Sequence, residues 1–189
     1  MTRPATRSAI LQAGMKLFTE RGFSACSVQD IVEAANVPKG SFYNHFKSKE
    51  ALAAEIVTEY GKGSTDRSIL TNSKLPGLVR LKEHFTALNA YFSRCNDGCL
   101  VGKFMAETSD ETPQMRESLL EVLKIWGGQI SRAIADGQKQ GAIRKDLKPD
   151  ELAAFLIDSY EGAILRMRVE RTPRALKSFL KIVFASITV

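Results

Sequence analysis

The chain has 189 residues, 44% hydrophobic and 25% charged, with a net charge of +6. That composition excludes a disordered or fibrous chain and leaves an ordinary folded protein with material for a sizeable core. No run of about 18 apolar residues exists, and the start MTRPATRS lacks the apolar stretch of a secretory leader, so neither a membrane span nor export is expected. Three cysteines are an odd number in a chain too large to need stapling, which reads as reduced thiols in a cytoplasm. The positive charge is uneven. Residues 1–49 hold seven basic side chains against three acidic ones, a net of +4, and the rest holds 20 against 18. A basic N-terminal end is compatible with a nucleic-acid partner.

Almost every segment reads as helix, and no strand pattern or repeat is evident. Ile10, Ala13, Gly14, Leu17 and Phe18 form the apolar face of a first helix over roughly 4–21, closed by Gly22 as a left-handed cap. Ser27 followed by Asp30 is a capping-box start for a short second helix ending near Ala35. The turn Asn36-Val37-Pro38 leads into a third helix, Lys39 to Phe46, and Ser48 caps a fourth from Lys49 past Tyr60. Further helices are expected over 77–95, 98–109, 113–140, 149–170 and 173–188. Pro113, Pro149 and Pro173 sit at their openings, and Gly141 closes the third of them.

Two short helices, a tight turn and a supporting helix make a helix-turn-helix unit, whose second helix enters the major groove. Phe42 and Phe46, four apart, supply its buried side. Lys39, Ser41, Tyr43, Asn44 and His45 are left to face DNA, and Lys47-Ser48-Lys49 offers cations and a helix N-terminus suited to phosphate. Tyr43 packing on the first helix, and the lysines as a plain solvated face, are the competing readings.

The runs GFSACSVQDIVEAANV (22–37) and VPKGSFYNHFKSKEAL (37–52) closely resemble the signature of the TetR/AcrR family of bacterial regulators. The spacing of Gly40, Tyr43, Phe46 and Lys49 is specific to that signature rather than to helices in general. The resemblance implies an all-α protein, with a helix-turn-helix DNA-binding domain over 1–47 and a ligand-sensing and dimerisation bundle over 48–189. It puts Lys39, Gly40 and Ser41 near base edges and Ser27, Tyr43, His45 and Lys49 on the DNA backbone, while Val28 and Gln29 can add a base contact. It also implies a homodimer on a palindromic double-stranded operator and a small-molecule inducer of unknown identity. The fourth helix is expected to carry the signal between domains.

Dimerisation has independent support. Leu156, Tyr160, Ile164 and Met167 follow helical spacing, as do Leu176, Phe179, Leu180, Val183 and Ile187. Two terminal helices with that much apolar surface suit a four-helix interface, or else pack within one subunit. The run GCLVGKFMAETSD (98–110) resembles the NemR-like branch of the family, whose members control reductases for reactive electrophiles. Cys99 then reads in two ways. At a helix N-terminus, with Lys103 four residues on, its thiolate is favoured; as an ordinary thiol it is a small buried hydrophobe. Cys95 at i−4 is farther than a disulfide prefers unless Gly98 breaks the helix, and Cys26 reads as structural. Phe85, Phe92, Phe104, Met105 and Trp126 can line a sensor pocket or form core.

An enzyme is the distant alternative. A Cys99–His84 pair lacks a third orienting residue, and no phosphate loop, nucleotide fingerprint or metal cluster accompanies it, so no catalytic residue, metal or cofactor is assigned. Activation in place of repression, and a noncovalent ligand with no role for thiols, fit the same sequence.

Overall fold

The computed structural model describes residues 3–63, 67–94 and 98–189. They form ten helices: α1 (Arg3–Arg21), α2 (Val28–Ala34), α3 (Lys39–Tyr43), α4 (Lys49–Gly63), α5 (Ser68–Thr71), α6 (Gly77–Phe92), α7 (Leu100–Glu107), α8 (Pro113–Lys139), α9 (Pro149–Glu170) and α10 (Arg174–Ile187). Among the described residues there is no strand; Ile143 and Thr188 form an isolated antiparallel bridge. None of these helices is long and apolar enough to cross a membrane.

The boundaries follow local chemistry. Gly22, at φ +89°, ends α1 with its amide on the Phe18 carbonyl at 2.9 Å. Ser27 caps α2: its Oγ accepts from the Asp30 amide at 3.1 Å, and the Asp30 carboxylate accepts from the Ser27 amide at 2.7 Å. Two expectations shift. The third helix ends at Tyr43 rather than Phe46, and residues 44–46 turn back with the His45 and Phe46 amides both on the Phe42 carbonyl. The helix expected over 77–95 ends at Phe92 with Ser93 as its cap, and Cys95 lies outside the described residues.

The chain divides into two compact units, Met1–Gly63 with Cys99–Val122, and Ser64–Gly98 with Leu123–Val189. The first is built around Ile10, Phe18, Ile31, Phe42, Leu52, Ile56 and Phe104, all essentially without solvent contact. Gly14 of α1 lets α4 approach closely: a Cβ there would stand 2.9 Å from Leu52 Cδ2.

The second unit packs α6, α9 and α10 around Leu81, Phe85, Leu156, Tyr160 and Leu176, with Ile130 and Ile134 of α8 also buried. This bears on the expected dimer face. Leu156, Tyr160, Ile164 and Met167 of α9, and Leu176, Phe179 and Val183 of α10, lie at most 6% exposed within their own subunit, and Leu180 is half-buried. The apolar periodicity marks the side that packs on the subunit's own core, although Phe179 and Val183 also border an outer groove of α9 and α10. The outward stripe is Phe155, Leu165 and Val169 of α9 and Ile182 of α10, between 43% and 85% exposed. Where a helix carries two apolar faces, the more continuous one dominates a sequence pattern.

Candidate functional site

Helix α3 is five residues long, set at its start by Pro38, whose fixed φ of −60° turns the chain out of α2. Phe42 and Phe46 anchor it from beneath, their ring centroids 5.7 Å apart. Lys39, Gly40, Tyr43 and Asn44 are exposed, while Ser41 and His45 are half-buried. Tyr43 stands 58% exposed with its ring edge-on to Phe42 at 5.3 Å. Gly40 has nothing within 4 Å of the position a Cβ would take, so the fold makes no steric demand for glycine there.

At the start of α2, Ser27 and Gln29 are exposed and Val28 is half-buried. Both polar side chains are engaged locally. The Ser27 hydroxyl donates to Asp30 Oδ2 at 2.5 Å, and Gln29 Nε2 donates to Glu33 Oε1 at 2.7 Å. Hydrogen bonds from Ser27 hold the Asp30 carboxyl below its usual range.

Lys49, expected to clamp the DNA backbone, is engaged within its own unit. Its Nζ donates to the Phe23 and Cys26 carbonyls at 2.9 and 2.8 Å and lies 4.1 Å from the Phe23 ring centre. Burial lowers its pKa. The ammonium thus serves as an internal tie between α4 and the α1–α2 loop. Lys103, expected to assist Cys99, behaves alike: its ammonium reaches the Thr19 and Glu20 carbonyls at the end of α1. Glu107 completes the set with Oε1 on the Phe23 amide at 3.2 Å and Oε2 on the Ser24 amide at 2.6 Å. Sequence reasoning passed over Glu107, although one signal was there: a carboxylate on the last residue of a helix opposes the macrodipole unless something else holds it.

Cys99 is the N-cap residue of α7, 7% exposed, with its Sγ 4.0 Å from the Tyr60 hydroxyl. Cys26 is buried with its Sγ 3.5 Å from the Leu17 carbonyl, and burial raises its pKa. The aromatic residues offered as pocket lining separate into two places. Phe104 belongs to the first unit, edge-on to Phe18 and Phe23 at 5.5 and 6.1 Å. Phe85 and Phe92 pack around Tyr160 in the second unit, and Met105 is exposed. Trp126 donates its indole N–H to His84 Nε2 at 3.0 Å, and the Arg67 guanidinium lies over its ring. Burial and the nearby Arg67 push the His84 pKa down to about 4, so its imidazole is neutral and occupied by Trp126 rather than poised as a base. A groove of about 410 Å³ runs between α8 and α9, lined by Leu123, Gly127, Ser131, Ala153 and Ile157 among others.

A short, supported helix with an exposed polar face is the geometry of a groove reader. Comparison with known proteins decides its lineage. Residues 10–56 match the bacterial regulatory proteins of the tetR family, and residues 77–183 match the tetracyclin repressor-like C-terminal domain. The transcriptional repressor DhaR of Mycobacterium sp. (strain GP1) is 41% identical over 99% of this chain and 94% of its own length. The chain belongs to the TetR family. TetR-family proteins are DNA-binding transcriptional regulators rather than enzymes; they bind operators as dimers and respond to small-molecule ligands. Two solved structures share the fold over nearly the whole chain. A regulatory protein TetR from Rhodobacter sphaeroides is 29% identical with a TM-score of 0.86, covering 95% of this chain and 97% of its own. The reduced form of Escherichia coli NemR is 26% identical with a TM-score of 0.86, covering 97% of both chains.

Proposed function

We propose that this TetR-family regulator is a cytoplasmic repressor that reads a palindromic operator with α3 and leaves it when an inducer binds. Two relatives named as repressors, DhaR and NemR, support repression over activation. The observation that carries the reader assignment is Gly40. It is exposed on α3 and the subunit itself has no use for it, so its missing side chain serves an outside surface that approaches the backbone closely. Lys39 and Ser41 beside it are the candidates for base contacts, and Tyr43, Asn44 and His45 for the flanking backbone.

Gly40→Ala separates folding from function. The added methyl meets nothing in the subunit, and alanine is the better helix former by about 1 kcal/mol, so the melting temperature should hold or rise. Affinity for an operator selected from a random duplex pool should fall about tenfold or more, the scale of one lost base contact. Unchanged operator affinity would remove α3 from the reading role.

For release, the groove between α8 and α9 favours a noncovalent ligand: its volume of about 410 Å³ lies in the range such ligands occupy, and its lining combines small and apolar residues with the charged Lys124, Asp150 and Asp158. Cys99 supports a thiol route, since it caps α7, where a thiolate would gain from the helix dipole; against this stands its burial. Treating the operator complex with an electrophile such as an α,β-unsaturated aldehyde decides between them. Release of wild type but not of Cys99→Ser supports the thiol; equal behaviour of the two leaves the noncovalent ligand.

A further inference from the structure

The α1–α2 loop, residues 22–26, leads directly into Ser27 and the first turn of α2. It carries no regular structure, yet its polar backbone groups are gripped by side chains from distant parts of the chain. One carboxylate, Glu107, accepts from two consecutive amides, Phe23 and Ser24. One turn earlier on α7, the Lys103 ammonium takes the carbonyls of Thr19 and Glu20, which end α1 and have no onward helical partners. Residues four apart share a helix face, so α7 presents an anion to the loop's amides and a cation to the helix's carbonyls from the same side. Lys49 of α4 holds the Phe23 and Cys26 carbonyls. Gly22 completes the fit: at φ +89° it adopts a conformation other residues resist, and a Cβ on it would run into the Glu107 carboxylate. Both α7 contacts span 83 or 84 residues of sequence, so neither belongs to the local folding of the loop.

We propose that Glu107 and Lys103 of α7 are positioning residues for operator recognition, which hold the α1–α2 loop and thereby orient the start of α2 for DNA. The proposal deepens the DNA-reading assignment above and depends on it. Neither residue contacts DNA in this scheme. Each acts through the loop, and loss of either leaves the reading side chains in place but lets their carrier move. Specific binding requires both readers of the dimer to meet their half-sites in fixed geometry, whereas non-specific binding to the phosphates does not. Specificity, rather than DNA affinity in general, is therefore the quantity these residues control.

The test uses the full-length dimer and two fluorescent duplexes, the operator selected by wild type and a scrambled sequence of equal length. Binding is measured by anisotropy well below the melting temperature of each variant. Glu107→Ala should weaken operator binding about tenfold, the size of one lost charge-assisted hydrogen bond, and leave the scrambled duplex unchanged. Lys103→Met should act in the same direction. Glu107→Gln keeps the volume and an acceptor for one amide; it should fall between wild type and Glu107→Ala, and it carries the test if the alanine variant does not fold. Equal affinity of the Gln and Ala variants for the operator at the wild-type level overturns the proposal. So does a parallel loss on both duplexes, which means less active protein rather than a misplaced reader. If wild type itself prefers no sequence, the DNA-reading assignment fails first and this proposal falls with it.

Discussion

Phe85→Ala is expected to lower the unfolding free energy by about 3–5 kcal/mol, the usual cost of emptying a large aromatic site. Phe85 has no solvent exposure, and its ring meets Tyr160, Phe179 and Phe184 at 5.2, 5.2 and 6.4 Å and His84 at 5.2 Å. These partners come from α6, α9 and α10, so one ring ties together the three helices that form the second unit's core. Tilted and edge-on pairs at such distances add about 0.5–1.5 kcal/mol each beyond area burial. The surrounding rings are rigid and helix-borne, which limits how far the site can collapse and favours the upper part of the range. The sequence left Phe85 open as either core or ligand-pocket lining. A residue lining a pre-formed pocket is cheap to truncate for stability, because its pocket side has no packing to lose. Urea unfolding distinguishes the two: a loss below about 1.5 kcal/mol would mean that Phe85 is not the keystone described.

The parts of the fold that were legible in the sequence are those decided within a few residues. Gly22, the Ser27–Asp30 box, Pro38, Pro113 and Pro149 each act on their own backbone neighbourhood, and each marks a boundary in the structure. Helix α5 is four residues long, too short for a periodic signal, and it went unseen. The third helix is shorter than its pattern because Phe42 and Phe46 keep helical spacing through a turn that only the backbone reveals. The site was legible as a set of residue types at fixed spacing but not as a set of partners. Lys49 reads as a cation for the DNA backbone and Lys103 as one for the Cys99 thiolate, yet their ammonium groups engage carbonyls 23 to 84 residues away. Nothing in a sequence pattern announces a backbone acceptor. For that reason the ties that Glu107 and Lys49 make to the α1–α2 loop are not legible in the sequence.

The dimer offers the largest expected effect on function. Phe155→Glu combined with Ile182→Glu should yield a folded monomer that binds the operator at least about 100-fold more weakly. Both side chains are more than half exposed in the isolated subunit, at 52% and 65%, and help line an outer groove of α9 and α10 together with Ser159, Gly162, Ser178, Arg166 and Arg174. Small residues between large apolar ones let helices of a second copy approach closely, and two glutamates there would bury added negative charge on both sides of a symmetric interface whose Arg166 and Arg174 are already paired with Glu170. Because neither side chain supports its own subunit's core, helical content and the temperature of subunit unfolding at low concentration should stay near wild type. Leu156→Ala makes the contrast. One residue along α9 but on the inward face, fully buried, it should cost about 2–5 kcal/mol of subunit stability and leave the interface chemistry intact. The operator penalty follows from linkage. In a dimer the second reader meets its half-site at an effective concentration in the millimolar range, and losing that tether forfeits about 10²–10⁴ in affinity. Sedimentation and operator titration on the same preparation make the comparison direct. If the double variant sediments as a dimer, the outward stripe is not the interface; if it is monomeric yet binds the operator as wild type does, recognition does not depend on two coupled half-sites.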